Sequence, residues 1–137
     1  MQLDHIAHPI HSPHETHHFY NEVLGLVLAQ AYAGEELMLV YALPGGGSLA
    51  FTTQPGAKRP SDNQNWECEH VGLTVVSRAD LKNCLQRLSQ HGIPHRVVDD
   101  ERIYFSDPDG LVLELEVAGP APIDRTAHEV LARWRRG

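Results

Sequence analysis

"RIYFSDPDGLVLELE", residues 102–116, combines a turn sequence with an alternation of aliphatic and acidic side chains. After the turn, Leu113 points to one side of the chain, whereas Glu114 and Glu116 point to the other. Alternation with a period of two residues is typical of a half-buried β-strand. The alternation alone leaves open whether the glutamates lie in solvent or whether one of them points into a site.

An internal repeat places this strand in a larger pattern. The order strand, helix, strand, strand, strand occurs twice, at an offset of about 65 residues that maps Ser12 onto Ser77. Both serines stand where a helix N-cap is expected, and Gly25 and Gly92 stand where each helix should end. The repeat therefore predicts an α+β fold built from two βαβββ modules.

The boundaries of these modules follow from composition. Module one is expected over residues 1–54, and the Pro-, Gly- and Asn-rich segment 55–65 is expected to be a linker. Module two is expected over residues 66–118, and an amphipathic helix over 124–136. We expect this helix to pack on a sheet or on a partner subunit, and the whole chain, 1–137, to be one domain.

Composition excludes several classes of protein. The formal net charge is -7, and apart from the short tail "RWRRG", residues 133–137, no basic stripe is present that would indicate nucleic-acid binding. No apolar run is long enough to span a bilayer, and the first ten residues do not have the pattern of a signal peptide. Two cysteines do not form a disulfide framework. A cytoplasmic location is expected by default.

Two histidines occupy matching places in the repeat. His5 and His70 each lie early in the first strand of a module, on the side opposite the residues that should pack under the helix. Glu114 lies on the corresponding side of the last strand. Two imidazoles and one carboxylate on one concave sheet surface are the ligands of a metal site with open coordination positions. These ligand types suit iron(II), manganese(II), zinc or nickel.

Other polar and aromatic residues have simpler alternative roles. The histidines within "HETHH", residues 14–18, could bind a metal, but we expect them to form a solvated helix face. Tyr41, Trp66 and Tyr104 are candidate pocket walls, with core or rim positions as equal alternatives.

Four segments resemble the vicinal oxygen chelate superfamily, which includes glyoxalase I, bleomycin and fosfomycin resistance proteins and extradiol dioxygenases. They are "LDHIAHPI", "HETHHFYNEVLGL", "CEHVGLTV" and "YFSDPDGLVLELEV", and the resemblance spans about residues 2 to 117. It implies two βαβββ modules that form a half-open barrel around a divalent metal ion held by His5, His70 and Glu114. It also implies a homodimer, in which His5 of one chain can meet His70 and Glu114 of the other, and a small-molecule substrate.

Departures from the family pattern narrow the expected activity. Glyoxalase I-like members take a further glutamate from the last strand of module one, where this chain has Leu49 or Ala50. Fosfomycin-modifying members carry a threonine two residues after the first histidine, where this chain has Ala7. Bleomycin-binding members usually lack the metal ligands, which this chain keeps.

The pattern of extradiol dioxygenases fits the second module. It runs from His95 through the pair Ile103-Tyr104 to Asp-Pro-x-Gly and Glu114. The resemblance implies that His95 or Tyr104 orients or protonates a catecholic substrate, with iron(II) or manganese(II) as the favoured metal. We therefore expect a dioxygenase-like or related lyase or isomerase reaction. A non-catalytic binding protein and a fosfomycin-type thiol transferase are the alternatives.

Overall fold

The computed structural model describes residues 1–54, 69–119 and 123–134, so that the predicted linker and Trp66 lie outside the described residues. None of the described helices is long and apolar enough to cross a membrane. The elements in chain order are β1 (His5–Ile10), α1 (Pro13–His17) continued by a π-helical turn (His18–Val23), β2 (Val27–Ala33), β3 (Leu37–Ala42), β4 (Ser48–Thr53), β5 (Val71–Val75), α2 (Arg78–Gln90), β6 (His95–Asp99), β7 (Arg102–Ser106), β8 (Val112–Val117) and α3 (Ala127–Arg133).

The strands form two four-stranded mixed sheets with the same topology. The strand orders are β1-β4-β3-β2 and β5-β8-β7-β6. In each sheet the first and last strands pair in parallel, and the remaining pairs are antiparallel. The prediction of an α+β fold with two βαβββ modules is therefore confirmed.

Matching residues begin and end the two module helices. Ser12 and Ser77 accept hydrogen bonds from the backbone N–H three residues further on, each at 3.2 Å. These bonds satisfy N–H groups that have no partner inside the helix. Gly25 and Gly92 follow the helices with φ of 75° and 65°, values that favour glycine. The capping signals in the sequence thus have the predicted structural role.

The hydrophobic core is shared between the modules. Phe19 of the π-helical turn contacts Phe105 of β7, with ring centroids 6.0 Å apart, and Tyr20 stacks on Phe51 of β4 at 4.4 Å. Leu81 and Leu88 of α2 belong to the same buried cluster. Each helix therefore packs on one side of its sheet and leaves the other side of that sheet available for a site.

The "DPDG" turn connects the two modules through buried polar contacts. The Tyr20 hydroxyl donates a hydrogen bond of 2.6 Å to Asp107 Oδ2, and the His11 ring Nδ1 lies 2.6 Å from Asp109 Oδ1. The other oxygen of Asp107 accepts bonds from the backbone N–H groups of Asp109 and Leu111. Burial raises the pKa of Asp107, while the bond from Tyr20 opposes that shift. The turn therefore fixes one module against the other.

Helix α3 does not pack on the described sheets. Its apolar residues Val130 and Leu131 are 62% and 71% exposed, and none of its residues is buried. Of the two packing partners expected for this helix, the described sheets of the same chain are not in contact with a buried residue of it, and packing on a partner subunit stays a prediction.

Replacement of Tyr20 by phenylalanine should destabilise the fold by about 1.5–3 kcal/mol at neutral pH, because a buried carboxylate loses a hydrogen bond. The folded-state pKa of Asp107 is already raised, and loss of the bond raises it further. The stability that this group contributes is present below its unfolded pKa and is lost as the pH rises through the folded pKa. The difference between wild type and Tyr20→Phe should therefore grow from acid to neutral pH.

Urea denaturation at several pH values measures this difference. Tyr32→Phe is the matched control, because the Tyr32 side chain lies on β2 and is half exposed. An equal loss of stability in both variants, or one that does not change with pH, would contradict the role of the Tyr20–Asp107 bond.

Candidate active site

The register of β5 to β8 places the polar residues of module two on one side of the sheet. Glu114 lies opposite Gly72 on one neighbouring strand and opposite Tyr104 on the other, and Tyr104 lies opposite Arg96. Residues directly opposite each other in a sheet project to the same side. We call this side, which is turned away from α2, the open face of module two. It is formed by His70, Gly72, Thr74, Arg96, Asp99, Arg102, Tyr104, Ser106, Val112, Glu114 and Glu116.

A buried carboxylate lies at the centre of this face. Glu114 is 7% exposed, and its Oε2 lies 2.7 Å from Nε2 of His70. Its other oxygen, Oε1, lies 3.0 Å from Nε of Arg102, whose Nη2 contacts Glu116 at 3.1 Å. The structure thus brings together His70 and Glu114, two of the three predicted metal ligands. Their adjacent nitrogen and oxygen donors suit a divalent ion.

Tyr104 completes the polar group. Its ring meets the His70 ring edge-on, with centroids 5.3 Å apart, and the guanidinium of Arg96 lies 5.2 Å from its ring centroid. Loss of surrounding water and a hydrogen bond to Glu114 both raise the pKa of Tyr104. Tyr104 therefore stays a phenol at neutral pH and can donate a proton. Of the two predicted pocket walls that the structure describes, Tyr41 and Tyr104, only Tyr104 lies on this face.

The third predicted ligand, His5, does not join this group within one chain. Its side chain is 56% exposed, and its Nδ1 lies 2.7 Å from Asp4 Oδ2. Across residues 1–54, 69–119 and 123–134, no group of three His, Cys, Asp or Glu side chains is arranged to hold a metal. The predicted set of three ligands is therefore incomplete in the single chain.

Module one has a corresponding face without a carboxylate. Its open face, turned away from α1, is formed by His5, Ala7, Pro9, Val27, Gln30, Tyr32, Met38, Val40, Ala42, Ser48, Ala50 and Thr52. Ala50 lies opposite Ala7, as Glu114 lies opposite Gly72, and this register shows that Ala50 rather than Leu49 takes the place of a glutamate. Unlike the open face of module two, this face is largely apolar.

His95 lies away from the polar group. It is opposite Phe105, whose side chain is fully buried on the α2 side of the sheet, and its Nδ1 lies 2.8 Å from the carbonyl of Ile93. Its neighbour Arg96 is the residue that projects beside Tyr104. This position does not favour the predicted role of His95 in protonating a substrate.

The remaining candidates have structural contacts. Tyr41 is fully buried in the core, where desolvation raises its pKa to about 12, and its hydroxyl lies 2.9 Å from Nδ1 of His17. His18 is half exposed, pairs with Glu22 at 2.7 Å and meets the ring of His91 at 5.3 Å. Tyr41 therefore belongs to the core and not to a pocket wall.

Comparison with known families gives the class of protein. A sequence model of the Glyoxalase/Bleomycin resistance protein/Dioxygenase superfamily matches residues 2–115. The chain therefore belongs to this superfamily, as its paired βαβββ modules and its His–Glu pair had indicated. No protein of curated function matches the sequence significantly.

Solved structures share the fold at low sequence identity. A glyoxylase/bleomycin resistance protein/dioxygenase domain from Frankia sp. EAN1pec is 20% identical, with a TM-score of 0.74 over 87% of this chain and 98% of that one. The oxidase ChaP-H2 is 22% identical, with a TM-score of 0.67 over 87% and 94%. The fosfomycin resistance protein FosX from Listeria monocytogenes is 13% identical, with a TM-score of 0.69 over 98% of each chain. These similarities establish the fold alone.

Sequence reasoning missed the two arginines of the site. Arg102 and Tyr104 are two residues apart on β7 and therefore share a face, and Arg96 joins them through the antiparallel pairing of β6 with β7. The spacing of Arg102 and Tyr104 was visible in the sequence. The position of Arg96 depends on strand register, which a single sequence does not specify.

Replacement of Glu114 by glutamine should lower the pKa of Tyr104 towards the ordinary tyrosine value. The carboxylate accepts the phenol hydrogen bond and repels the phenolate, and glutamine removes the charge. NMR titration of the Tyr104 ring measures the shift, with Glu116→Gln as the control on the same strand. An unchanged Tyr104 titration in Glu114→Gln would show that the carboxylate does not act on the phenol.

Proposed function

We propose that this protein is a metal-dependent enzyme that acts on a small substrate chelating the metal through adjacent oxygens. The observation that supports this proposal is the 2.7 Å approach of His70 Nε2 to Glu114 Oε2 beside the phenol of Tyr104. The expected reaction is dioxygenase-like, of the extradiol type, or a related lyase or isomerase reaction. Iron(II) and manganese(II) are the favoured metals, and zinc and nickel also suit the ligands.

The third ligand would be His5 of a second copy of the chain. His5 is exposed on the open face of module one, whereas His70 and Glu114 lie on the open face of module two. A homodimer that brings module one of one chain against module two of the other would complete the ligand set. The resulting pocket would have one largely apolar wall and one polar wall.

Each group has a defined part in this proposal. The metal would supply Lewis acidity that stabilises a diolate or enolate. Tyr104, kept as a phenol beside Glu114, would give a proton to the substrate or orient one of its oxygens. The apolar side chains of module one, such as Val40 and Ala50, would hold the carbon skeleton of the substrate and exclude water.

One observation favours a second function. Arg102 and His70 already pair with both oxygens of Glu114, so that the site is electrically satisfied without a metal. A protein that sequesters a small molecule on these faces without turnover would need no more than this arrangement. Binding of a ligand to metal-free protein with undiminished affinity would support this second function and contradict the enzyme.

Purified protein loaded with iron(II) or manganese(II) should contain one equivalent of metal per chain. His5→Ala and Glu114→Ala should each lose it, because each removes one of three ligands. His14→Ala, an exposed histidine outside the proposed site, is the control and should retain the metal. Metal retained by His5→Ala would remove His5 from the ligand set.

Mixing of two inactive variants tests whether the site is shared between chains. Dissociation and reassociation of His5→Ala with Glu114→Ala in equal amounts should restore about a quarter of the sites, because half of the dimers are mixed and each has one intact site. Metal content and oxygen uptake with catechols measure the recovery. Recovery of no metal from the mixture, with a wild-type sample treated in parallel recovering fully, would place the site within one chain.

A further inference from the structure

Glu114 is a buried carboxylate that already has a cation beside it. It is 7% exposed, and Arg102 Nε lies 3.0 Å from Oε1 while His70 Nε2 lies 2.7 Å from Oε2. Burial of a carboxylate without compensating charge or hydrogen bonds is strongly unfavourable. Arg102 carries its charge at every physiological pH and is therefore a permanent partner for Glu114.

Arg102 is anchored independently of Glu114. It lies directly opposite Glu116 in the β7–β8 pairing, and its Nη2 lies 3.1 Å from Glu116 Oε2. Glu114 is opposite Tyr104, two residues further along, so that Arg102 reaches it diagonally across the sheet. If the contact with Glu114 weakens, the contact with Glu116 still holds the guanidinium at the edge of the open face.

We propose that Arg102 is a positioning residue that neutralises Glu114 in the metal-free protein and competes with the divalent metal for it. This inference rests on the proposed function, because it takes Glu114 as a metal ligand. With Oε1 held by Arg102, the oxygen that faces His70 is Oε2, and this is the oxygen presented to a metal. The positive guanidinium draws the carboxylate away from the ion and repels the ion itself.

The competition has a direction that can be measured. Removal of the Arg102 charge should strengthen metal binding, because the metal then neither has to displace the guanidinium from Glu114 nor is repelled by it. The same removal should weaken the metal-free protein, since Glu114 then lacks its charged partner. If the role of Arg102 were purely structural, its removal would destabilise the metal-free protein without strengthening metal binding.

The first test is titration of metal-free protein with manganese(II). Calorimetry and the electron paramagnetic resonance signal of the free ion both measure the binding. The dissociation constant should fall about tenfold in Arg102→Gln, because the substitution removes a positive charge next to the ion. Arg78→Gln is the matched control, because it removes the same charge from an exposed residue at the start of α2 that pairs with Asp100 and Glu101 and lies off the open face. Its dissociation constant should change by less than about threefold.

The second test is the stability of metal-free protein in a double-mutant cycle. Arg102→Gln should lower the folding equilibrium constant about tenfold, and most of this loss should disappear in the Glu114→Gln background. Equal effects of Arg102→Gln in both backgrounds would show that Arg102 does not neutralise Glu114.

The outcomes separate this inference from the proposed function. If wild type binds one equivalent of manganese(II) and Arg102→Gln binds it no more tightly, the competition is overturned and the proposed function stands. If wild type, Arg102→Gln and Arg78→Gln all fail to bind the ion, the proposed function is overturned, and the competition with it.

Discussion

The parallel pairing of the first and last strands of a module determines where its functional groups can lie. In module two this pairing sets β5 beside β8, and it places His70, just before β5, close to Glu114 within β8. The two residues are 44 positions apart in the sequence, and no local contact would join them. The antiparallel partner β7 then adds Tyr104 and Arg102 on the other side of the same carboxylate. The site is therefore a consequence of sheet topology.

The same topology in module one leads to a different surface. Its first strand carries His5, but Ala50 stands where module two has Glu114, and the neighbouring positions are mostly apolar. The two halves thus share one fold, whereas the side chains on their open faces differ. One half provides an imidazole and an apolar wall, and the other provides an imidazole, a carboxylate, a phenol and two guanidinium groups.

Sequence patterns among neighbouring residues predicted most of the fold. The caps at Ser12 and Ser77, the glycine helix stops and the alternation in β8 all depend on neighbouring residues, and each has the expected structure. The pairing of His70 with Glu114 was also predictable, because the repeat and the strand period together assign both residues to one face.

The sequence did not predict the features that depend on tertiary packing. The bond between Tyr20 and Asp107 joins residues 87 positions apart in different modules, and no local pattern predicts it. His95 was expected at the site, but the β6–β7 register turns it to the other side of the sheet and places Arg96 beside Tyr104.

The need of Glu114 for a positive partner connects stability with function. A structural metal site usually depends on its ion for folding, because the ligands repel each other or stay unsatisfied without it. Here Arg102 and His70 satisfy the carboxylate within one chain. If a metal binds here, as proposed, folding need not depend on it, and the ion can serve chemistry alone. If the remaining ligand is His5 of a second copy, metal binding and association of the chains are linked, because an ion bound only by the complete ligand set stabilises the dimer by mass action. A site divided in this way would hold its ion tightly only in the assembled protein.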